Sequence, residues 1–354
     1  VRILTVLHDL SAGGTERVAL SLAAAWRDAG ADSIVLVGCA QGPLAVPGGV
    51  EWQEVVPPMP RSPLSRVRLW RGLARSVAAI SPDVLFLPGN WHFLLAHGVA
   101  AARPRPLIVG KLSNPPVPGG AIAPAAGLLF RAITAPIDAI VAWPEAAARK
   151  VERLVPGKPV VRVRNPPLGH AVRNRDPDHG STGRVLMAGR LVPQKDVGLA
   201  IAAFRNALAF RPGLSLEIVG DGPERLRLEA IARGLPVRFH GHVQDLAPYF
   251  ASADSLLLTS RFEGTPSVVI EALAAGVPVV ATDCSPFVAE MLDGPGRGRL
   301  VKRRSAPALA RALLETLDCP APMPGIEEAL APFRTGAIAV RYLALFEALL
   351  SGAG

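Results

Sequence analysis

The chain has 354 residues, half of them apolar, with a formal net charge of +9. It is too long for one ordinary core and suits two domains of roughly 150 to 200 residues each, with no low-complexity tract that would indicate a disordered protein. The three cysteines, Cys39, Cys284 and Cys319, are far apart and lack metal-ligand spacing. They support neither a disulfide framework nor a zinc site, and they suit a reducing cytoplasm.

The charge is unevenly divided. Residues 1–165 hold 18 Lys and Arg against 10 Asp and Glu, whereas residues 166–354 hold 20 against 19. A basic first half attracts anionic partners: nucleic acid, acidic lipid or a phosphorylated substrate. Nucleic acid is disfavoured because aromatic residues are only 5% of the chain and no basic patch is interleaved with them.

In chain order, "RILTVL" (Arg2 to Leu7) is too short an apolar run for a signal peptide and reads as a first strand. "TERVALSLAAAWRDAG" follows at helical spacing and ends at Gly30, a C-cap residue. "SIVLVG", "DVLFLPG", "PLIVGKL" and "DAIVAW" are further strands separated by helical stretches. Continuous apolar strands of this kind suit a parallel sheet covered by helices on both faces.

Between "SIVLVG" and "DVLFLPG", "RSPLSRVRLWRGLARSVAAI" (Arg61 to Ile80) places Leu64, Val67, Trp70, Leu73, Val77 and Ile80 on one helical stripe. Arg61, Arg66, Arg68, Arg71 and Arg75 surround it. Such a helix fits an anionic membrane surface and equally fits a packed surface helix with a solvated basic face. Ala121 to Trp143 contains Arg131, Pro136 and Asp138 and reads as a buried helix followed by a strand, not a membrane span.

A Pro-, Gly-, Arg- and Asp-rich break over Val161 to Gly183 separates the halves. Its "DPD" (Asp176 to Asp178) reads as a proline turn, since metal-binding acids belong at strand ends. The alternation then restarts with "RVLMAG", "LSLEIVG", "VRFHG", "DSLLLTS" and "VPVVATD". The expected organisation is an α/β chain with Rossmann-like domains over residues 1–165 and 166–335, and a C-terminal helix over 336–354 packing back on the first. Two such domains would set the C-terminal strand ends of their sheets on facing sides of a cleft, where open α/β sheets bind ligands.

"SRFEGTPSVVIEALAAGVPVVATD" (Ser260 to Asp283) keeps two glutamates in a small, apolar run. Glu263 falls in a strand-to-helix loop and Glu271 about one turn inside a helix over Ser267 to Ala275, with Thr265 as N-cap and Pro266 at the first helical position. The unpaired N–H groups at that helix start can hold an anion. A phosphate flanked by two carboxylates that accept from hydroxyls describes a nucleotide sugar. "GDGPER" lacks the third glycine of a dinucleotide fingerprint, having Arg225 there, and reads as a tight turn. His8, His92 and His97 have no mutual metal spacing; His92 in "GNWHF" is a cleft candidate by position.

"GRLVPQKD" (Gly189 to Asp196), "VGDGPER" (Val219 to Arg225), "FHGHV" (Phe239 to Val243) and the glutamate stretch occur in an order that resembles the C-terminal domain of retaining glycosyltransferases of family four. "GGTERVALSLA" (Gly13 to Ala23) is similar to that family's first glycine loop and helix. The resemblance implies the GT-B fold, a nucleotide-sugar donor as substrate without a cofactor or metal, and a glycan or lipid-linked acceptor. It implies that Glu271 holds the donor ribose, Glu263 a hydroxyl of the transferred sugar, and Arg190 and Lys195 the diphosphate. Ser267, Val268 and Val243 complete the donor contacts, with Gly13 and Gly14 letting the first loop approach the phosphates.

Three departures stand out. Pro266 replaces a glycine before the phosphate-contacting amides, "CSPF" (Cys284 to Phe287) replaces a glycine-rich turn, and "KLSNPP" (Lys111 to Pro116), with Asn114, stands where relatives carry a histidine. No base is named, because a leaving phosphate can take the acceptor's proton. An epimerase on the same two-domain plan, a sugar phosphorylase and a basic nucleic-acid-binding protein are the competing readings. A phosphorylase would usually need a pyridoxal-binding lysine and a much longer chain.

Overall fold

The computed structural model describes all residues except 12, 61–64, 115–122, 144, 165, 167–181, 244, 319–321 and 353–354. Arg61, Leu64, Pro115, Pro116, Cys319 and the Asp176 to Asp178 turn therefore lie outside the described residues, as does most of the break between the halves. The chain divides into two compact units, Val1–Leu168 with Phe333–Gly354, and Gly169–Pro332.

The first unit carries β1 (Arg2–Asp9), β2 (Asp32–Cys39), β3 (Glu51–Glu54), β4 (Val84–Leu87), β5 (Leu107–Lys111), β6 (Ala139–Val141) and β7 (Val160–Val161). All pair in parallel, in the order β3-β2-β1-β4-β5-β6-β7. The central strands are buried on both faces, which is why they read as unbroken apolar runs. The edges do not: β3 is "EWQE", with three of four residues exposed, and β7 has only two residues.

On one face of this sheet Val18, Leu22 and Trp26 of the helix Gly14–Asp28 pack with Phe86, Tyr342 and Phe346. Trp26 meets Phe86 edge to face at 5.0 Å and Tyr342 at 5.7 Å. The C-terminal helix Thr335–Leu350 thus completes the first unit's core across a long sequence gap. On the other face Leu69, Leu73, Val77 and Ile80 of the helix Ser65–Ile80 are buried against Leu4, Leu36 and Leu85. The apolar side of that basic helix is therefore occupied by the unit's own core.

The helix Ala123–Thr134 is less buried than its sequence predicts. Phe130 is inside, while Leu128 and Leu129 are 69% and 61% exposed beside exposed Arg131. Among the described residues no helix is long and apolar enough to cross a membrane.

The second unit carries β8 (Arg184–Ala188), β9 (Ser215–Val219), β10 (Val237–Gly241), β11 (Ser255–Leu258), β12 (Val279–Thr282) and β13 (Gly298–Val301). They form a six-stranded parallel sheet in the order β10-β9-β8-β11-β12-β13. This is the doubly wound order, whose direction of winding reverses beside its first strand. In this unit the reversal falls between β8 and β11, and in the first unit between β1 and β4.

Candidate functional site

A reversal leaves a crevice at the carboxyl ends of the two strands flanking it, because their following loops turn to opposite sides. In the second unit those loops are "GRLVPQKD" after β8 and "SRFEGTP" after β11. Neighbouring backbone shapes the first. Leu191 N–H donates to Asp221 O at 2.9 Å and Glu224 N–H to Leu191 O at 3.1 Å. A Cβ on Gly220 would collide with the Gly189 carbonyl, and one on Gly222 with that of Leu191. The glycines of "GDGPER" therefore serve close packing of two loops, as expected for a turn.

That packing presents Lys195 inward. Its Nζ donates to Glu263 Oε1 at 2.5 Å, with the two side chains only 13% and 9% exposed. Ser260 Oγ donates to the same oxygen at 2.7 Å, so both contacts fall on Oε1. Glu263 N–H in turn donates to Cys284 O at 3.0 Å, placing "CSPF" against this loop. Burial, and secondarily the Glu263 charge, pushes the Cys284 thiol up to about 11. Behind the pair, Thr259 Oγ1 lies 3.1 Å from the Lys195 carbonyl and 3.0 Å from that of Asp196. Arg190 is exposed on the same loop.

The helix after the second loop spans Ser267–Ala274, one residue shorter than predicted at its end, with Pro266 itself in the extended cap position at φ −68° and ψ 110°. Its first bond runs from Val269 N–H to Pro266 O at 3.1 Å, so the Ser267 and Val268 amides precede the intrahelical ladder. Val268, Val269, Ile270 and Leu273 face the core. Ser267 and Glu271, four residues apart, share the remaining, partly exposed face. Val243, half-buried, lies just past β10.

In the first unit, Gly13 is the extended N-cap of its helix, and a Cβ there would collide with the Glu16 carboxylate, whereas nothing lies within 4 Å of one on Gly14. Gly14 is the open position of the pair. After β4, Asn90 ties down the "KLSN" loop: its Oδ1 accepts from Ser113 N–H at 2.9 Å and its Nδ2 donates to Asn114 O at 3.0 Å. His92 is buried, 2% exposed, on the short 3-10 turn Asn90–Leu95. Lys111 ends β5 almost wholly buried, and desolvation lowers its amine to about 8.

The structure thus brings Lys195 and Glu263 into contact and sets Ser267 and Glu271 on one helix face, with Gly13, Gly14, His92 and Asn114 in the other unit. Sequence reasoning missed Ser260, Thr259 and Asn90. Ser260 opens the quoted glutamate stretch, but a serine before an arginine carries no signal of its own. Among the described residues no group of three His, Cys, Asp or Glu side chains could hold a metal.

Two doubly wound units in one chain, each with polar residues at its winding reversal, are the two-domain plan of the GT-B fold. The profile described as "Glycosyl transferases group 1" matches residues 182–319, and that described as "Glycosyltransferase Family 4" matches residues 12–166. The chain belongs to this family of glycosyltransferases.

Among curated proteins it is 34% identical over 250 residues to an exopolysaccharide phosphotransferase of Streptomyces coelicolor, covering 68% of this chain and 25% of that one. It is 35% identical over 133 residues to the lipopolysaccharide core biosynthesis glycosyltransferase LpsE of Rhizobium meliloti, covering 36% of this chain and 38% of that one. The chain thus spans a quarter to about two fifths of the length of these relatives. Among solved structures, Anabaena HepE in complex with UDP and glucose matches with a TM-score of 0.70 at 17% identity, over 98% of this chain and 99% of that one. Sucrose-phosphate synthase from Thermosynechococcus elongatus matches at 0.71 and 19%, over 99% and 100%. At these identities the likeness is one of fold.

Proposed function

We propose that this protein moves a sugar from a nucleotide-sugar donor to a glycan or lipid-linked acceptor, with retention at the anomeric carbon, in polysaccharide or cell-envelope biosynthesis. The observation that carries this reading is the Lys195–Glu263 contact at the β8/β11 reversal, beside the Ser267 and Glu271 face. Glu271 accepts from the ribose hydroxyls, and the Ser267 and Val268 amides face the phosphates. Lys195 has three donors and spends one on Glu263, so two remain for a diphosphate oxygen. Arg190 adds a second cation. The leaving diphosphate gains negative charge as the bond from its oxygen to the anomeric carbon breaks, and fixed cations stabilise that state more than the ground state. The acceptor oxygen bonds to the same face of the carbon while its proton passes to the departing phosphate. Glu263, whose contacts with Lys195 and Ser260 both fall on Oε1, accepts on Oε2 from a hydroxyl of the transferred sugar in this reading.

The names of the relatives support the acceptor class: one acts in lipopolysaccharide core biosynthesis, and another, 32% identical over 117 residues, is an amylovoran biosynthesis glycosyltransferase of Erwinia amylovora. The buried free thiols of Cys39 and Cys284 suit a reducing cytoplasm. Contact with an anionic membrane surface is proposed on the charge of the first half together with exposed Leu128, Leu129 and Arg131. The helix Ser65–Ile80 would contribute charge, since its Leu69, Leu73, Val77 and Ile80 are packed inward.

A thermal-shift screen across nucleotide sugars tests the donor, because a ligand bound only by the folded state raises apparent stability. The best donor is then followed by NMR with an acceptor extract. Appearance of a glycoside with the donor's anomeric configuration is expected. Interconversion of the nucleotide sugar with its epimer, with no acceptor consumed, would establish the epimerase reading instead.

A further inference from the structure

Arg304, just past β13, reaches back 108 residues to the loop that carries Lys195. Its guanidinium donates to Asp196 Oδ2 at 2.7 Å, to Ser260 O at 2.6 Å and to Thr259 O at 3.2 Å. We propose that Arg304 is a positioning residue: by clamping Asp196 and the Thr259–Ser260 backbone together it holds Lys195 in place for the donor diphosphate. The clamp is read from geometry within the second unit, and its purpose rests on the donor reading above.

Asp196 shows why a clamp is needed. It directly follows Lys195 and sits in the left-handed region, at φ 47° and ψ 49°, where a residue with a side chain is disfavoured. It is also the N-cap of the helix Val197–Leu208, yet its carboxylate makes no capping bond. An aspartate in this position ordinarily accepts from the first-turn amides. Here the carboxylate is turned to Arg304, with Arg261 a second, looser partner at 3.4 Å. The Thr259 hydroxyl then fixes the carbonyls of Lys195 and Asp196 from the other side. Lys195 is therefore held through its own carbonyl and through the residue after it, and its amine lands on Glu263.

A planar fork suits this task, since three acceptors from two loops converge on two terminal nitrogens of one rigid group. Both terminal nitrogens donate to protein oxygens, three of the five N–H groups being spent in this way, which fits a residue that positions the loop. Its side chain is 32% exposed, so it can be replaced without opening a core.

The test uses the full chain as wild type, Arg304→Gln, Arg304→Lys, Asp196→Asn and the double variant Asp196→Asn/Arg304→Gln. Arg299→Gln, on β13 itself and paired with Glu315, is the control. Lysine acetylation by acetic anhydride is followed residue by residue by mass spectrometry, with Lys158 as internal reference. Arg304→Gln is expected to raise the Lys195 rate threefold or more at an unchanged Lys158 rate, Arg304→Lys to give a smaller rise, and Arg299→Gln none. The double variant should behave like the worse single variant, because both break one contact. Calorimetry with UDP, GDP and ADP should show affinity for the preferred diphosphate falling about tenfold in Arg304→Gln at an unchanged melting temperature. An unchanged Lys195 rate in a folded Arg304→Gln protein overturns the clamp, as does a parallel rise at Lys158, which would mark general loosening. Wild-type protein that binds none of the three diphosphates overturns the donor reading, and is told apart from failure of the clamp because labelling needs no nucleotide.

Discussion

Lys195 Nζ and Glu263 Oε1 lie 2.5 Å apart although 68 residues separate them in sequence. The two loops that carry them leave adjacent parallel strands, β8 and β11, and turn to opposite sides. The pair exists because the winding of the sheet reverses there. Removing one partner leaves a largely desolvated charge without its counter-ion, a loss of roughly 3 kcal/mol. Lys195→Met should therefore lower stability in urea titration, and Lys195→Met/Glu263→Gln should recover most of that loss. Equal destabilisation by the single and double variants would show that the pair is not coupled.

The same lysine is expected to matter more for turnover than for stability. Lys195→Ala and Arg190→Ala should each lower turnover about a hundredfold, as for other lost stabilisers of a developing anion. Activity of the wild type should persist in a chelator. Steady-state assays of the folded variants decide this, and a turnover within a factor of two of wild type would remove either residue from the site.

Lys111 gives a pH signature in the first unit. Burial lowers its amine from 10.5 to about 8. Between those values the unfolded chain binds the proton and the folded chain does not, so stability should rise with pH through that window. Below pH 8 the cost of the buried ammonium is fully present, on the order of 3 kcal/mol. Lys111→Met should thus be more stable than wild type at pH 7, with the advantage shrinking towards pH 10. An advantage independent of pH would contradict the burial of a titrating amine.

Membrane contact can be tested at the exposed leucines. Wild-type protein should co-sediment with vesicles in proportion to their anionic lipid, less so as salt is added. Leu128→Ser/Leu129→Ser should weaken this binding severalfold, and so should Arg66, Arg68, Arg71 and Arg75 changed together to Gln. Equal partition to neutral and anionic vesicles would sink the proposal.

The central strands were legible in the sequence because a parallel strand covered on both faces has no reason to alternate. β3 and β7 were not, since "EWQE" is exposed at a sheet edge and Val160–Val161 is shorter than any periodic signal. Glu263, Glu271, Arg190 and Lys195 were singled out as candidates through the order of four motifs, and the fold brings the first and last of them into contact. Ser260 and Thr259 were hidden by identity, because a hydroxyl gains its meaning only when a strand end brings it beside a distant loop. Of the apolar stripe expected on the helix Ser65–Ile80, Leu73, Val77 and Ile80 are buried, together with Leu69, which the stripe left out; what they pack with could not be read, because it includes β-strand side chains distant in the chain.

Glu271 offers the most direct measurement of the donor site. Charge-assisted bonds to hydroxyls contribute about 1.5 to 3 kcal/mol each, so Glu271→Ala should weaken affinity for the preferred nucleoside diphosphate at least tenfold in isothermal titration calorimetry. Unchanged affinity in a folded Glu271→Ala protein would mean that the nucleotide is not held on the Ser267–Ala274 helix.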